Sequence, residues 1–356
     1  MSLTVTHWKM VDGKKVITKT VSSIKNHTLR HTTPAPAPPS PPTDIKTACA
    51  PTPFIDKISV VLEPANEEDA LYIHGGLWNL FNEPGIFLDM KGGKWGVFKV
   101  AKKIALDSVL DVKKYPLFQY AFEPKTPDKP GKALKMRIEF VPVDLGWQGL
   151  LELHATLSTA IPNGWHYFIA NGHITRLDIA VDFPDVLIDD FHFLALQGAT
   201  TKQWRVNGKL QGYTHGKPKG NHTAIYDRGA KRIALGQSAK GKEGMRVERR
   251  IKSLSIAKLA DLIHLPNPFG DMKLVSMPEA PPSESKKFLF IWDLFRRAAD
   301  AEGLMGALAL LPKDRRTLYR KHLAANTHPW WNPDAIWANW PAMLKELEIG
   351  TAKTWY

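Results

Sequence analysis

The segment from residue 175 to residue 183 most constrains what this chain can fold into. It reads Thr-Arg-Leu-Asp-Ile-Ala-Val-Asp-Phe, so polar and apolar side chains alternate. Alternate side chains of a β-strand point to opposite faces. One face of this strand is therefore expected in a hydrophobic core. The other presents Arg176, Asp178 and Asp182 to a site or to solvent.

Two further segments are predicted to be neighbouring strands around the same centre. One passes from a turn rich in Gly and Lys, residues 212–220, into a strand at residues 223–228. The other is residues 245–251, in which Arg246, Glu248 and Arg250 share a face. Carboxylates, arginines and tyrosines brought together in this way suggest metal-assisted phosphoryl chemistry on a polyanion.

The positive charge of the chain is concentrated in this same region. The formal net charge is +13, and residues 201–252 hold fourteen Lys and Arg against three acids. A solvated surface more often intersperses charges of both signs. The distribution therefore favours a nucleic-acid partner over a basic face without function.

The order of predicted elements indicates an α+β fold, with a largely antiparallel curved sheet and flanking helices. Strands are interrupted by one or two helices instead of alternating regularly with them. The predicted strands outside the central stretch are residues 57–62 and 135–142, and the predicted helices are residues 67–80, 150–161 and 255–263.

Composition shifts divide the chain into five predicted regions. They are an N-terminal hairpin (1–26), a Pro-rich linker (27–53), a catalytic and DNA-binding α+β domain (54–272), a second linker (273–286) and a helical C-terminal region (287–356). Helices are expected at residues 287–301, 305–311, 313–325 and 334–347, the last broken or kinked at Pro341. Trp331, Trp337 and Trp340 are expected to pack this region. The basic helix at 313–325 is left open as a DNA or partner contact.

Several classes of protein are disfavoured by the sequence. Cys49 is the only cysteine, which excludes an internal disulfide and a cysteine-based zinc site. The N-terminus lacks the apolar core of a signal peptide, and the apolar run at residues 303–312 is too short to span a bilayer. Residues 236–242 spell G-x-x-x-x-G-K, but Glu243 replaces the Ser or Thr of a phosphate-binding loop. A soluble, cytoplasmic protein without a membrane partner or an ATPase motor is expected.

The acids and tyrosines are the candidate catalytic groups. Asp178 and Asp182 share a face but lie about 13 Å apart along a strand, too far to hold one ion together. One of them is expected to join Glu248 in binding Mg²⁺ or Mn²⁺, which prefer oxygen ligands. Alternatively, Asp178 simply pairs with Arg176 or Arg246. Tyr213 and Tyr226 are candidate nucleophiles, although a lone tyrosine is more often a core or rim residue.

Taken in order, these segments resemble the plasmid and phage replication initiation factors of the rolling-circle, strand-transferase type. The matching motifs are R-L-D-I-A-V-D-F at residues 176–183, the turn at 213–216, I-Y-D-R-G at 225–229 and R-V-E-R-R at 246–250. The resemblance covers residues 170–255. At the turn, the family's Y-x-G-S-R pattern is replaced by Y-T-H-G-K, with Lys217 where arginine is expected.

The resemblance implies an enzyme that nicks and rejoins one origin strand through a tyrosine and a divalent metal, leaving a 5′-phosphotyrosine and a 3′-hydroxyl primer. It implies Tyr213 as nucleophile with Tyr226 in reserve, and a metal role for Asp178 and Glu248, with Asp182 as a further candidate. The residues expected to grip DNA phosphates are Arg176, Lys217, Lys219, Arg228, Arg246 and Arg250. The implied partners are single-stranded or hairpin origin DNA, a host helicase and polymerase, and a second copy of the chain.

Two other functions fit the same residues. One is a non-catalytic origin-binding or regulatory DNA-binding protein that keeps the sheet but not the chemistry. The other is a metal-dependent nuclease in which water attacks. Only metal-dependent cleavage, with or without attachment of DNA, separates the three.

Overall fold

A computed structural model describes most of the chain beyond residue 50, together with two strands near the N-terminus. The described residues are 5–11, 14–21, 51–90, 98–122, 134–184, 186–195, 201–217, 220–252, 254, 258–328 and 330–347. The predicted Pro-rich linker, residues 27–53, lies outside them except for its last three residues. Lys219 also lies outside them.

The chain divides into two compact units, Met1–Ala48 and Cys49–Tyr356. In the first unit, β1 (Val5–Val11) pairs antiparallel with β2 (Lys14–Val21), Val11 lying opposite Lys14. These strands fall where the sequence predicts a hairpin.

The second unit is built on one sheet of ten antiparallel strands. In spatial order these are β10 (Thr201–Val206), β11 (Lys209–Gly216), β12 (His222–Asp227), β13 (Met245–Ile251), β8 (His173–Phe183), β3 (Phe54–Leu62), β7 (Leu134–Phe140), β6 (Leu117–Phe122), β5 (Val100–Ile104) and β4 (Phe87–Asp89). The sheet is not closed, and β10 and β4 are its edges. A small second sheet pairs β9 (His192–Ala195) with β14 (Met272–Val275).

Eight α-helices accompany these strands in the described residues. They are α1 (Glu67–Phe81), α2 (Pro142–Ser158), α3 (Trp165–Asn171), α4 (Arg228–Ala234), α5 (Leu289–Ala309), α6 (Lys313–Ala325), α7 (Pro333–Trp337) and α8 (Trp340–Leu347). Short 3-10 helices are Val112–Lys114, Ile188–Asp190, Leu259–His264 and Lys286–Phe288. The predicted α+β class, with an antiparallel sheet and a helical C-terminal region, is confirmed. None of these helices is long and apolar enough to cross a membrane.

The hydrophobic core lies on the apolar face of the sheet. Leu177, Ile179 and Val181 of β8 are fully buried there, as the alternation of this strand predicts. Helix α1 packs against this face through residues three and four apart, such as Ile73 and Leu77. Burial of such side chains is the main force that holds helices to a sheet. The opposite face is left to polar residues.

Glycine and proline interrupt or begin several of the helices. Helix α2 is interrupted at Gly146 with φ +62°, so a first turn that begins at Pro142 precedes the helix predicted at residues 150–161. The two helices predicted at residues 287–301 and 305–311 are present as the two parts of α5, which is interrupted at Gly303 with φ +78°. The helix at residues 334–347 is broken next to Pro341, as predicted: α7 ends at Trp337, and α8 begins at Trp340 with Pro341 in its first turn. A 3-10 helix, Leu259–His264, lies where an α-helix was predicted at residues 255–263.

Two tryptophans tie the C-terminal helices to the main core. The Nε1 of Trp331 donates to the carbonyl of Met272 over 3.0 Å, and that of Trp340 donates to Leu262 over 2.8 Å. Both side chains are almost completely buried. The sequence predicts that they pack the C-terminal helical region, but the structure places them in the main core, and Trp292 lies in the separate core of α5 and α6. The domain boundary proposed at residues 273–286 stays a prediction.

Candidate metal centre

Strand pairing gathers the charged residues on the polar face of the sheet. β13 lies beside β8, with Arg246 opposite Asp182 and Arg250 opposite Asp178. Directly opposed residues of neighbouring strands point to the same face. Glu248, between the two arginines on β13, therefore points to this face as well. The predicted convergence of the R-L-D-I-A-V-D-F and R-V-E-R-R motifs is present.

A bulge in β3 adds a carboxylate that sequence reasoning missed. Ile55 lies opposite Ile179 and Lys57 lies opposite Asp178, so Asp56 is an extra residue between two paired ones. Such a bulge re-aims a side chain locally. Asp56 thereby joins the polar face beside Asp178. No periodicity in the sequence marks this position, because its orientation depends on the register with β8.

Asp56, Asp178 and Glu248 form the candidate metal centre. One carboxylate oxygen from each lies within 4.8 Å of the others. Asp178 and Glu248 are 1% and 5% exposed. Three hard oxygen donors suit Mg²⁺ or Mn²⁺, and none of the three is a nitrogen or sulfur ligand that would favour another metal. The donor set therefore fits the divalent cation that the sequence predicts.

Burial and mutual repulsion act on Asp56. Burial raises the pKa of its carboxyl, the nearby charge of Glu248 raises it further, and Arg246 opposes both. A cation between these carboxylates would offset the same repulsion.

Two arginines hold Asp178 in place. The Nε of Arg176 donates to both carboxylate oxygens over 3.0 and 3.2 Å, and the Nε of Arg250 donates to both over 3.2 and 3.1 Å. Arg250 also reaches Glu248 over 3.3 Å. The sequence left open a pairing of Asp178 with Arg176 or Arg246, and the structure shows Arg176 and Arg250.

Asp182 belongs to a second ion-pair group beside the centre. Arg246 donates to its two oxygens over 2.7 and 3.0 Å, and Arg228 lies 3.1 Å away. Arg246 also bridges to Asp56 over 2.6 Å. Burial acts to lower the pKa of Arg246, but hydrogen bonding to Asp182 and the nearby acids outweigh it and raise that pKa. Asp182 is not one of the three grouped carboxylates, although Arg246 links it to Asp56.

Tyr226 is the tyrosine that the fold brings to the carboxylates. Its hydroxyl donates to Oε2 of Glu248 over 3.1 Å, and the Nζ of Lys231 lies 3.9 Å from the centre of its ring. The side chain is buried. Burial raises the pKa of the phenol, and the charge of Glu248 raises it further.

Tyr213 is placed elsewhere. It lies within β11 instead of opening a turn. Tyr213 is opposite Ile225, and Ile225 is opposite Val247. All three side chains therefore point to the apolar face of the sheet. Tyr213 lines a cavity of about 250 Å³ together with His192, Gln203 and Asp300. Burial raises the pKa of its phenol. The structure does not bring the first-choice nucleophile to the predicted metal ligands.

The remaining predicted phosphate contacts are distributed around the centre. Arg176, Arg246 and Arg250 pair with its acids, and Arg228 begins α4 beside Asp182. Lys217 is exposed at the end of β11.

A scan against models of known protein families finds no match to this chain, and no curated protein matches it.

Proposed function

We propose that this protein is a replication initiator of the rolling-circle type. It nicks one strand of origin DNA through a tyrosine and a divalent cation, keeps the 5′ end as a phosphotyrosine and leaves a 3′-hydroxyl primer. It rejoins the strand at termination. Such a protein works in the cytoplasm beside a host helicase and polymerase.

The observation that carries the proposal is the hydrogen bond from Tyr226 to Glu248, 3.1 Å long, inside the group of three carboxylates. A phenol beside a carboxylate has a proton acceptor within reach, as a general base requires. Tyr226 therefore replaces Tyr213 as the first-choice nucleophile of the proposed reaction.

The neighbouring residues have separate roles in the proposal. Asp56, Asp178 and Glu248 would hold a divalent cation, which would supply the positive charge that polarises the scissile phosphate and favours the phenolate. Glu248 takes the proton from the Tyr226 hydroxyl. Arg176 and Arg250 orient the carboxylates and lie where their charge can also hold a phosphate.

A non-catalytic DNA-binding protein is the second candidate, and one observation favours it. The acids of this face already have partners, since four carboxylates (Asp56, Asp178, Asp182 and Glu248) meet four arginines (Arg176, Arg228, Arg246 and Arg250). Such a network can be structural without any ion.

Cleavage separates these functions. The protein is incubated with Mn²⁺ and with single-stranded and hairpin oligonucleotides tiled across the DNA that carries its gene, and the products are run on a denaturing gel. A protein band retarded by attached DNA supports the proposal. Cleavage without attachment identifies a nuclease in which water attacks. Tight binding without cleavage in Mn²⁺ or Mg²⁺ leaves the DNA-binding protein.

A further inference from the structure

We infer that Trp204 is a stacking platform for a base of single-stranded DNA, on the same face of the sheet as the carboxylates. The inference deepens the proposed function and rests on it, because it assigns the path by which a single strand reaches Tyr226. It is carried by register, by exposure and by the charge of the surrounding residues.

Register puts Trp204 on the polar face. Trp204 lies opposite Gly212, Gly212 lies opposite Tyr226, and Tyr226 lies opposite Arg246. These four residues form one row across four strands and point the same way. At about 4.8 Å per strand, Trp204 on the edge strand lies about 14 Å from the strand of Glu248.

The tryptophan ring lies against the backbone of β11 and is still partly exposed. A Cβ added at Gly212 would come within 2.1–2.6 Å of three atoms of its six-membered ring, so the ring lies directly over this glycine. Trp204 is nevertheless 38% exposed. A large aromatic side chain held by the backbone beneath it can stack a base without first losing much conformational freedom.

Small residues line the path from Trp204 to the carboxylates. The next row of the same face runs from Lys202 through Thr214 and Ala224 to Glu248. With Gly212, the two small side chains form a shallow floor between the tryptophan and the acids. A nucleic-acid strand could lie close to the backbone there.

Charge complementarity selects nucleic acid as the occupant. Lys202, Lys209, Lys217 and Lys231 are exposed on these strands and the adjoining helix. Positive side chains that follow a backbone, combined with an aromatic platform, are the usual means of binding single strands. The lysines also disfavour the alternative, a second copy of the chain pairing with edge strand β10.

The test measures the affinity of the full-length protein for a fluorescently labelled oligothymidylate by anisotropy, in EDTA so that no cleavage occurs. Trp204→Ala is expected to weaken binding about tenfold, and Trp204→Phe to keep most of it. Trp204→Leu retains an apolar strand residue without an aromatic face and should behave like Trp204→Ala. Trp78→Ala, at an exposed tryptophan of α1, is the matched control and should bind like the wild type.

The outcomes separate this inference from the proposed function. If Trp204→Ala and Trp204→Leu bind with the affinity of the wild type, the assignment of Trp204 as a stacking platform is wrong. Nicking in Mn²⁺ is tested separately and is not affected by that result. If the variants change only the mass of the protein in light scattering, the surface is a self-interface and the inference is wrong. If binding depends on Trp204 but the protein cuts no DNA, the stacking platform is supported and the proposed nicking activity is rejected. A wild type that binds no oligothymidylate overturns the platform, and the cleavage gel with Mn²⁺ alone then decides the proposed function.

Discussion

Tyr226 and Glu248 make a diagonal pair across two neighbouring strands, with the phenol donating to the carboxylate over 3.1 Å. They are not directly opposed, since Glu248 faces Ala224 and Tyr226 faces Arg246. Diagonal neighbours are within reach of long and aromatic side chains. The pair connects the candidate nucleophile to the candidate metal centre, and the first prediction follows from it.

Tyr226→Phe should abolish the covalent attachment of DNA, because it removes the only atom of this side chain that can attack phosphorus. The measurement is the retarded protein band formed with an oligonucleotide that the wild type cleaves. Tyr213→Phe is the matched control. It removes a hydroxyl on the opposite face and should leave attachment within about twofold, as expected of a group outside the reacting atoms. Attachment lost only in Tyr213→Phe would reverse the assignment.

Mn²⁺ should raise the free energy of unfolding, because binding to the folded state alone stabilises a protein. The gain is about 2.7 kcal/mol when the metal concentration is a hundred times the dissociation constant. Glu248→Gln should weaken Mn²⁺ binding at least about tenfold, as loss of one ligand from three implies. Calorimetric titration and thermal unfolding with and without metal check both effects.

Asp182→Asn is the control for this experiment. It changes an acid of the same face that pairs with Arg246 and Arg228 and is not one of the three carboxylates. The variant should keep the Mn²⁺-dependent rise in unfolding temperature, even if its starting temperature is lower. Equal loss of the metal effect in both variants would contradict the assigned ligand set.

The position of Asp178 could be predicted from the sequence, whereas that of Asp56 could not. The alternation in β8 predicts the polar face of Asp178, and the motif on β13 predicts Glu248, because side-chain direction in a regular strand follows from its period of two. Asp56 could not be found this way, since a bulge interrupts that period and only the pairing with β8 shows where its side chain points. The α+β class was predictable for the same reason, because strands with a period of two can be recognised in the sequence.

Tyr213 and Trp204 show a different limit. The Gly- and Lys-rich sequence around Tyr213 indicates a turn, but residues 212–216 continue β11, and the register of this strand places Tyr213 on the apolar face of the sheet. The chain leaves β11 only after Gly216, and a separate hairpin turn at Asn207 and Gly208, whose φ values are +51° and +79°, joins β10 to β11. Asn-Gly is a strong hairpin signal. Applied at this position it would have identified β10, and with it Trp204.

Arg250→Met should lower the free energy of unfolding by about 1–3 kcal/mol. It removes one of the two guanidinium partners of Asp178, whose side chain is 1% exposed and cannot turn to water instead. Lys114→Met is the comparison, since Lys114 pairs with Asp144 at 45% and 29% exposure and exposed pairs contribute about 0–1 kcal/mol. Urea unfolding measures both, and similar values for the two variants would show that Asp178 depends on Arg176 alone.

Because the His192 side chain is mostly buried, the free energy of unfolding should decrease as the pH falls. Burial lowers the pKa of this histidine, and Asp300, whose Oδ1 lies 3.7 Å from its Nε2, only partly opposes the shift. The other charged or titratable groups lining the cavity beside it are Asp189, Arg205 and Tyr213. An unfolded histidine takes up a proton near pH 6.5. Because the folded form resists that proton, stability is full above this pH and decreases as the pH falls below it.

The measurement is the free energy of unfolding at pH 7.5 and pH 5.5, for the wild type and for His192→Gln. The variant should lose less stability between the two values, since its side chain takes up no proton. Asp300→Asn should lose more, because removing the carboxylate removes the group that favours the charged imidazole. Equal losses in all three proteins would mean that His192 is as easily protonated in the folded chain as in the unfolded one.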